Sequence, residues 1–142
     1  MKALHWRTPV ALPILATLSA SLASPAAAAA PSVSGTWLNP YDTVAVRTGP
    51  CQDRLCGWVS WANATALTDA REAGVTTLVG TELLEDYRPI GAGKWTGRVY
   101  IPDRRASYYS IIEQVNRDRL KISGCILHGL LCKSQLWHRI TG

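Results

Sequence analysis

Period-two alternation runs through most of this chain. Over residues 94–101, Trp95, Gly97, Val99 and Ile101 face one way and Thr96, Arg98 and Tyr100 the other, the spacing of a strand with one buried face. Residues 43–48 alternate Val44 and Val46 with Ala45 and Arg47. Residues 56–61 set Gly57, Val59 and Trp61 against Trp58 and Ser60. Residues 119–125 put Leu120, Ile122 and Gly124 on one face, and residues 133–140 oppose Gln135, Trp137 and Arg139 to Leu136, His138 and Ile140. Residues 34–38, 81–87 and 107–113 complete about eight short strands. Turn-forming clusters separate them: Asn39-Pro40-Tyr41-Asp42, Gly49-Pro50, Gly91-Ala92-Gly93, Pro102-Asp103-Arg104-Arg105 and Asn116-Arg117-Asp118. Only residues 62–79 break the pattern. Alanine, leucine and acidic residues over 64–73, with Gly74 beyond, predict one short helix or a long loop after the third strand. The expected fold is all-β, an antiparallel up-and-down barrel or a sandwich. An eight-stranded barrel has no exposed sheet edge, and its interior holds side chains or one small ligand.

The first 30 residues stand apart. Lys2 and Arg7 precede an apolar stretch from Pro9 to about Ala23, and an alanine run follows. This is the three-part pattern of a secretory signal peptide, with cleavage expected near Ala28 to Ala30. The apolar stretch is short and interrupted by Pro13, Thr17 and Ser19, which argues against a membrane anchor. Residues 31–142 then form a single exported domain, with no stable membrane insertion after cleavage. Cleavage after Ala30 leaves 13 basic and 10 acidic residues, a net charge of +3. The basic residues are scattered through turns and strands, which argues against a nucleic-acid partner.

Export changes the reading of the cysteines. Cys51, Cys56, Cys125 and Cys132 are an even set in a short chain bound for an oxidising space, which predicts two disulfides. Three pairings are open. The local ones, Cys51–Cys56 and Cys125–Cys132, are favoured because each pair brackets a turn-like segment. The competing use of Cys125, His128 and Cys132 as zinc ligands has atypical spacing, so no metal and no cofactor are expected.

Candidate chemistry is sparse. His128 and His138 are the histidines of the exported domain, and no Gly-x-Ser-x-Gly places a serine beside either. Glu82, Glu85 and Asp86 cluster on one weak strand, where adjacent surface acids are far commoner than an acid/base pair. The disulfides occupy the thiols a cysteine nucleophile would need. Asn63-Ala64-Thr65 matches the glycosylation triplet, which says nothing if the host is a bacterium. No enzymatic activity is expected.

Several motifs occur in a telling order: Gly35-x-Trp37, Leu55-Cys56-Gly57, Gly80, Trp95-x-Gly97-x-Val99-Tyr100-x-Pro102, Tyr108, Leu120-x-Ile122-x-Gly124-Cys125 and Gln135-x-Trp137-x-Arg139. From about Gly35 to Ile140 the chain resembles a family of small exported bacterial proteins of unknown function with a lipocalin-like, calycin-type barrel. The resemblance implies a periplasmic barrel and no established activity. It also implies structural roles for Gly35, Trp37 and Arg139, with the arginine of the last strand stacked on the tryptophan of the first at the barrel base. The hairpin at residues 102–106 departs from the family by lacking a glycine.

Two functions are compatible with the inward aromatic and aliphatic set. One is binding of a small apolar ligand, an acyl chain for example, in a pocket lined by Trp61, Trp95, Val99, Tyr108, Ile122 and Trp137. The other is a filled barrel that binds an envelope protein or polymer through its loops, with Trp58 and residues 62–79 as the contact surface.

Overall fold

The computed structural model describes residues 32–127 and 130–140. Eight antiparallel strands follow one another around a closed barrel. They are β1 (Gly35–Leu38), β2 (Val44–Cys51), β3 (Arg54–Ala62), β4 (Glu82–Gly91), β5 (Lys94–Ile101), β6 (Ala106–Asn116), β7 (Arg119–Ile126) and β8 (Leu131–Ile140). Each strand pairs with the next. Closure comes from β8 on β1, where Thr36, Trp37 and Leu38 face Ile140, Arg139 and His138. One helix, α1 (Ala64–Glu72), stands between β3 and β4. Asn63 starts it by accepting a hydrogen bond from the Ala66 amide at 2.8 Å, an N-cap that satisfies one of the unpaired donors of the first turn.

The up-and-down order gives the barrel two different ends. Tight turns join β2 to β3, β4 to β5 and β6 to β7 at the base, where β1 begins and β8 finishes. The β1–β2 loop, the α1 segment, a 3-10 turn (Pro102–Arg104) and the β7–β8 connection surround the mouth. Both local disulfides form: Cys51–Cys56 spans the β2–β3 turn at the base, and Cys125–Cys132 clamps β7 to β8 near the mouth. Cys125 and Cys132, the two thiols of the competing zinc reading, are joined in this second disulfide.

Aromatic packing seals the base. Trp37 is fully buried, and the Arg139 guanidinium lies 4.1 Å from its ring centroid. Arg139 also donates to the carbonyls of Ser34 at 2.9 Å, Ser32 at 2.6 Å and Arg117 at 2.9 Å. The Trp37 indole donates to Thr48 Oγ1 at 3.0 Å and to the Val33 carbonyl at 3.1 Å. A side chain at Gly35 would collide with Arg139 Nη1, so the Gly-x-Trp spacing leaves room for the stacked arginine. Above this plug, Leu84, Tyr87, Ile112 and Leu120 fill the section. The Tyr87 ring crosses Gly97, where a Cβ would come within 2.7 Å of Tyr87 Cγ.

Two departures from strict alternation matter. The β2–β3 pairing matches Val46 with Val59 but Ala45 with Trp61, so Ser60 is an extra residue on β3. Such a bulge reverses the facing of everything beyond it. Trp61 is therefore 47% exposed, and Ala62 is buried instead. The expectation that Trp61 lines the interior fails for this reason. In β4, the register shifts between Glu85 and Arg88, with Asp86 at φ 56° as the bulged residue. Against β3 the same strand is also irregular: Gly57 faces Leu84 and Trp58 faces Glu82, which leaves Leu83 as an extra residue, so the side-by-side Leu83 and Leu84 have no simple alternation. The glycine-free hairpin between β5 and β6 has its own solution. The 3-10 turn ends on Arg105 at φ 50°, a left-handed position held by a non-glycine residue.

Candidate functional site

Inward side chains change in size from base to mouth. Near the base they are Trp37, Tyr87, Trp95 and Ile112. Nearer the mouth, Val99 faces Tyr108 across β5 and β6, and Gly124 faces Lys133 across β7 and β8. The smaller groups leave a cavity of about 670 Å³. That lies within the range of roughly 300–1,000 Å³ expected of small-molecule pockets. Trp137 and Ile122 form its inner wall with Val46 and Leu84, and Leu83, Ile101, Ile126 and Leu131 line it toward the opening. The indole of Trp137 is fixed by a 2.8 Å hydrogen bond to Gln135 Oε1, which holds the ring against the cavity.

Polar groups on this lining are few and one-sided. Lys133 lies on the same face of β8 as Gln135 and Trp137, two residues further toward the mouth. Arg104 reaches the same cavity from the 3-10 turn. Neither forms an ion pair among the described residues, and no carboxylate lines the cavity. Gln135, Tyr100 and Tyr108 are further polar residues of the lining.

Below the cavity, Tyr87 Oη and Ser110 Oγ are buried without a well-formed hydrogen bond. Burial holds the Tyr87 phenol well above its ordinary range. The nearby Ser110 hydroxyl offsets part of that rise and the Glu85 charge adds to it. This tyrosine is a neutral core residue.

Of the pocket residues expected from the sequence, Val99, Tyr108, Ile122 and Trp137 come together on the cavity wall. Trp61 points outward past the bulge. Trp95 packs against the core cluster, paired with Ile112 and Pro89 toward the base, and does not reach the cavity. Its strand parity is inward, but its level in the barrel is too low. Lys133, Arg104, Gln135 and Gly124 are lining residues that sequence reasoning missed. Lys133 carried a readable signal, since it extends the Gln135, Trp137, Arg139 series by one step.

The remaining candidates disperse. Asp86 pairs with Arg54 at 2.6 Å on the outer surface near the base. The Glu82 carboxyl is held above its ordinary range, first by partial burial and then by the charges of Glu85 and Asp86. His138 sits 4.0 Å from Asp42 at the barrel rim. Among the described residues no three His, Cys, Asp or Glu side chains gather as a metal set. The signal peptide and His128 lie outside the described residues. The two disulfides are compatible with an exported protein. Among the described residues no helix is long and apolar enough to cross a membrane.

A family model described as an uncharacterized protein conserved in bacteria (DUF2147) matches residues 35–139. No curated protein sequence matches significantly. Among structures, the chain is similar to protein HP1028 from the human pathogen Helicobacter pylori, which is described as belonging to the lipocalin family. The two share 13% sequence identity with a TM-score of 0.58, over 78% of this chain and 84% of the other. At that identity the likeness is one of fold. The chain belongs to the DUF2147 family, and its barrel is lipocalin-like.

Proposed function

We propose that this DUF2147 protein binds a small apolar ligand inside its barrel, after export to the periplasm and cleavage of its leader, and that it does so without catalysing a reaction. The observation that carries this reading is the cavity of about 670 Å³, walled by Val99, Ile122, Leu131 and Trp137 and reached from one end only, because the Trp37–Arg139 plug closes the other. Burying an acyl chain there removes apolar surface from water on both partners, at roughly 25 cal/mol per Å². A filled barrel acting only through its loops has less support, since the inner face leaves that space unfilled.

Native mass spectrometry of protein purified from its own periplasm tests the proposal. A retained small molecule is the expected result. A clean apo mass, together with no binding of acyl probes by the purified protein, overturns it.

A further inference from the structure

We infer that the ligand is amphipathic and anionic, a single apolar chain ending in a carboxylate or phosphate, with its head at the mouth against Lys133 and Arg104. This rests on the reading of the cavity as a ligand site and adds the class of molecule.

The argument starts from register. On β8 the inward face reads Lys133, Gln135, Trp137, Arg139 from mouth to base. Two of these four carry positive charge, and the fold treats them differently. Arg139 is satisfied by three carbonyls and an indole ring. Lys133 has the same strand face but no partner among the described residues, and its cross-strand neighbour is Gly124, which offers no side chain to shield it. A cation turned toward an apolar cavity is favourable only where water or an anion meets it. A structural lysine would be expected on the outer face, as Lys121 on β7 is.

Arg104 supplies the second charge. The 3-10 turn ends on the left-handed Arg105, so Arg104 is set by the backbone at the rim of the cavity rather than out along the β5–β6 hairpin. Its guanidinium fork suits the paired oxygens of a carboxylate or phosphate. The lining thus has two cations, the uncharged amide of Gln135, two tyrosines (Tyr100 and Tyr108), and no acid among the described residues. Deeper in, apart from Gln135, whose Oε1 accepts from the Trp137 indole, the walls are aliphatic and aromatic, so a bound chain would leave its charged end at the level of Lys133 and Arg104. A neutral apolar molecule would use the walls and leave both cations as they are.

Calorimetric titration of the disulfide-bonded, lipid-stripped protein tests this with three probes of equal chain length: hexadecanoic acid, hexadecyl phosphate and hexadecan-1-ol. The expected result is at least tenfold tighter binding of one or both anions than of the alcohol. That preference should fall to within about twofold in the Lys133→Gln, Arg104→Gln double variant. Both residues are exposed, and an unchanged thermal midpoint verifies that the variant is folded. The relative affinities of acid and phosphate identify the head group. Equal binding of acid, phosphate and alcohol by the unmodified protein overturns the anionic head while leaving the apolar site standing. So does an anion preference that survives in the folded double variant. Failure of all three probes to bind removes the apolar site itself, and this inference with it.

Discussion

The two ends of this barrel are built from similar residues to opposite effect. At the base, an arginine, a tryptophan and a threonine satisfy one another and the surrounding carbonyls. At the mouth, an arginine, a lysine and two tyrosines line an apolar space without an acid among them. The difference lies in what the neighbouring strands supply. The base has carbonyls from the chain segment before β1 and from the β6–β7 turn within reach of Arg139. The mouth has Gly124 where a filling side chain would otherwise be. One end therefore contributes stability, and the other leaves an open cavity.

Removing the plug should have the largest effect. Trp37→Ala deletes a fully buried ring and its two hydrogen bonds, and a loss of about 3–5 kcal/mol is expected in denaturant titration. A loss below about 1 kcal/mol would mean that the base is not the anchor of the fold. Gly124→Leu probes the other end. Its Cβ meets only Val99 Cγ1, at an ordinary 3.5 Å, so folding should be little changed while the side chain occupies the cavity. Acyl-probe affinity should drop about tenfold, or 1.4 kcal/mol. Retained affinity would place the ligand elsewhere.

Arg105→Gly relieves a left-handed non-glycine residue at the rim and should raise stability by about 1 kcal/mol. Melting curves check this. The smallest effect belongs to Glu82. Because its carboxyl holds a proton more tightly in the folded protein than in the unfolded one, its contribution to stability declines as pH rises from 4.5 through its folded value. Glu82→Gln should flatten that decline in a series of melts from acid to neutral pH. A parallel shift at every pH would show that burial of the carboxylate is not the cause.

The architecture was legible where pairing is regular. The alternation in residues 94–101 maps directly onto β5, and the cysteine spacings match hairpins that close on themselves. It was illegible where a distant strand decides. Nothing near Ser60 announces a bulge, because the extra residue exists only relative to Ala45 and Val46 on β2. Trp61 was misplaced for that reason, and Trp95 because parity says which face a residue takes but not at what height in the barrel it sits. The cavity is equally non-local. It depends on Val99, Gly124 and Lys133 meeting at one level, from strands far apart in the sequence. Arg104 was hidden by a turn whose backbone form could not be inferred without its glycine.

Because β8 returns beside β1, residues 32 and 140 both emerge beneath the plug, at the pole opposite the opening. A handle placed next to residue 32 or 140, whether an affinity tag, a fluorophore or a surface linker, would hold the molecule upright with its aperture facing outward. An immobilised layer of this protein would thus present every cavity to the passing solution.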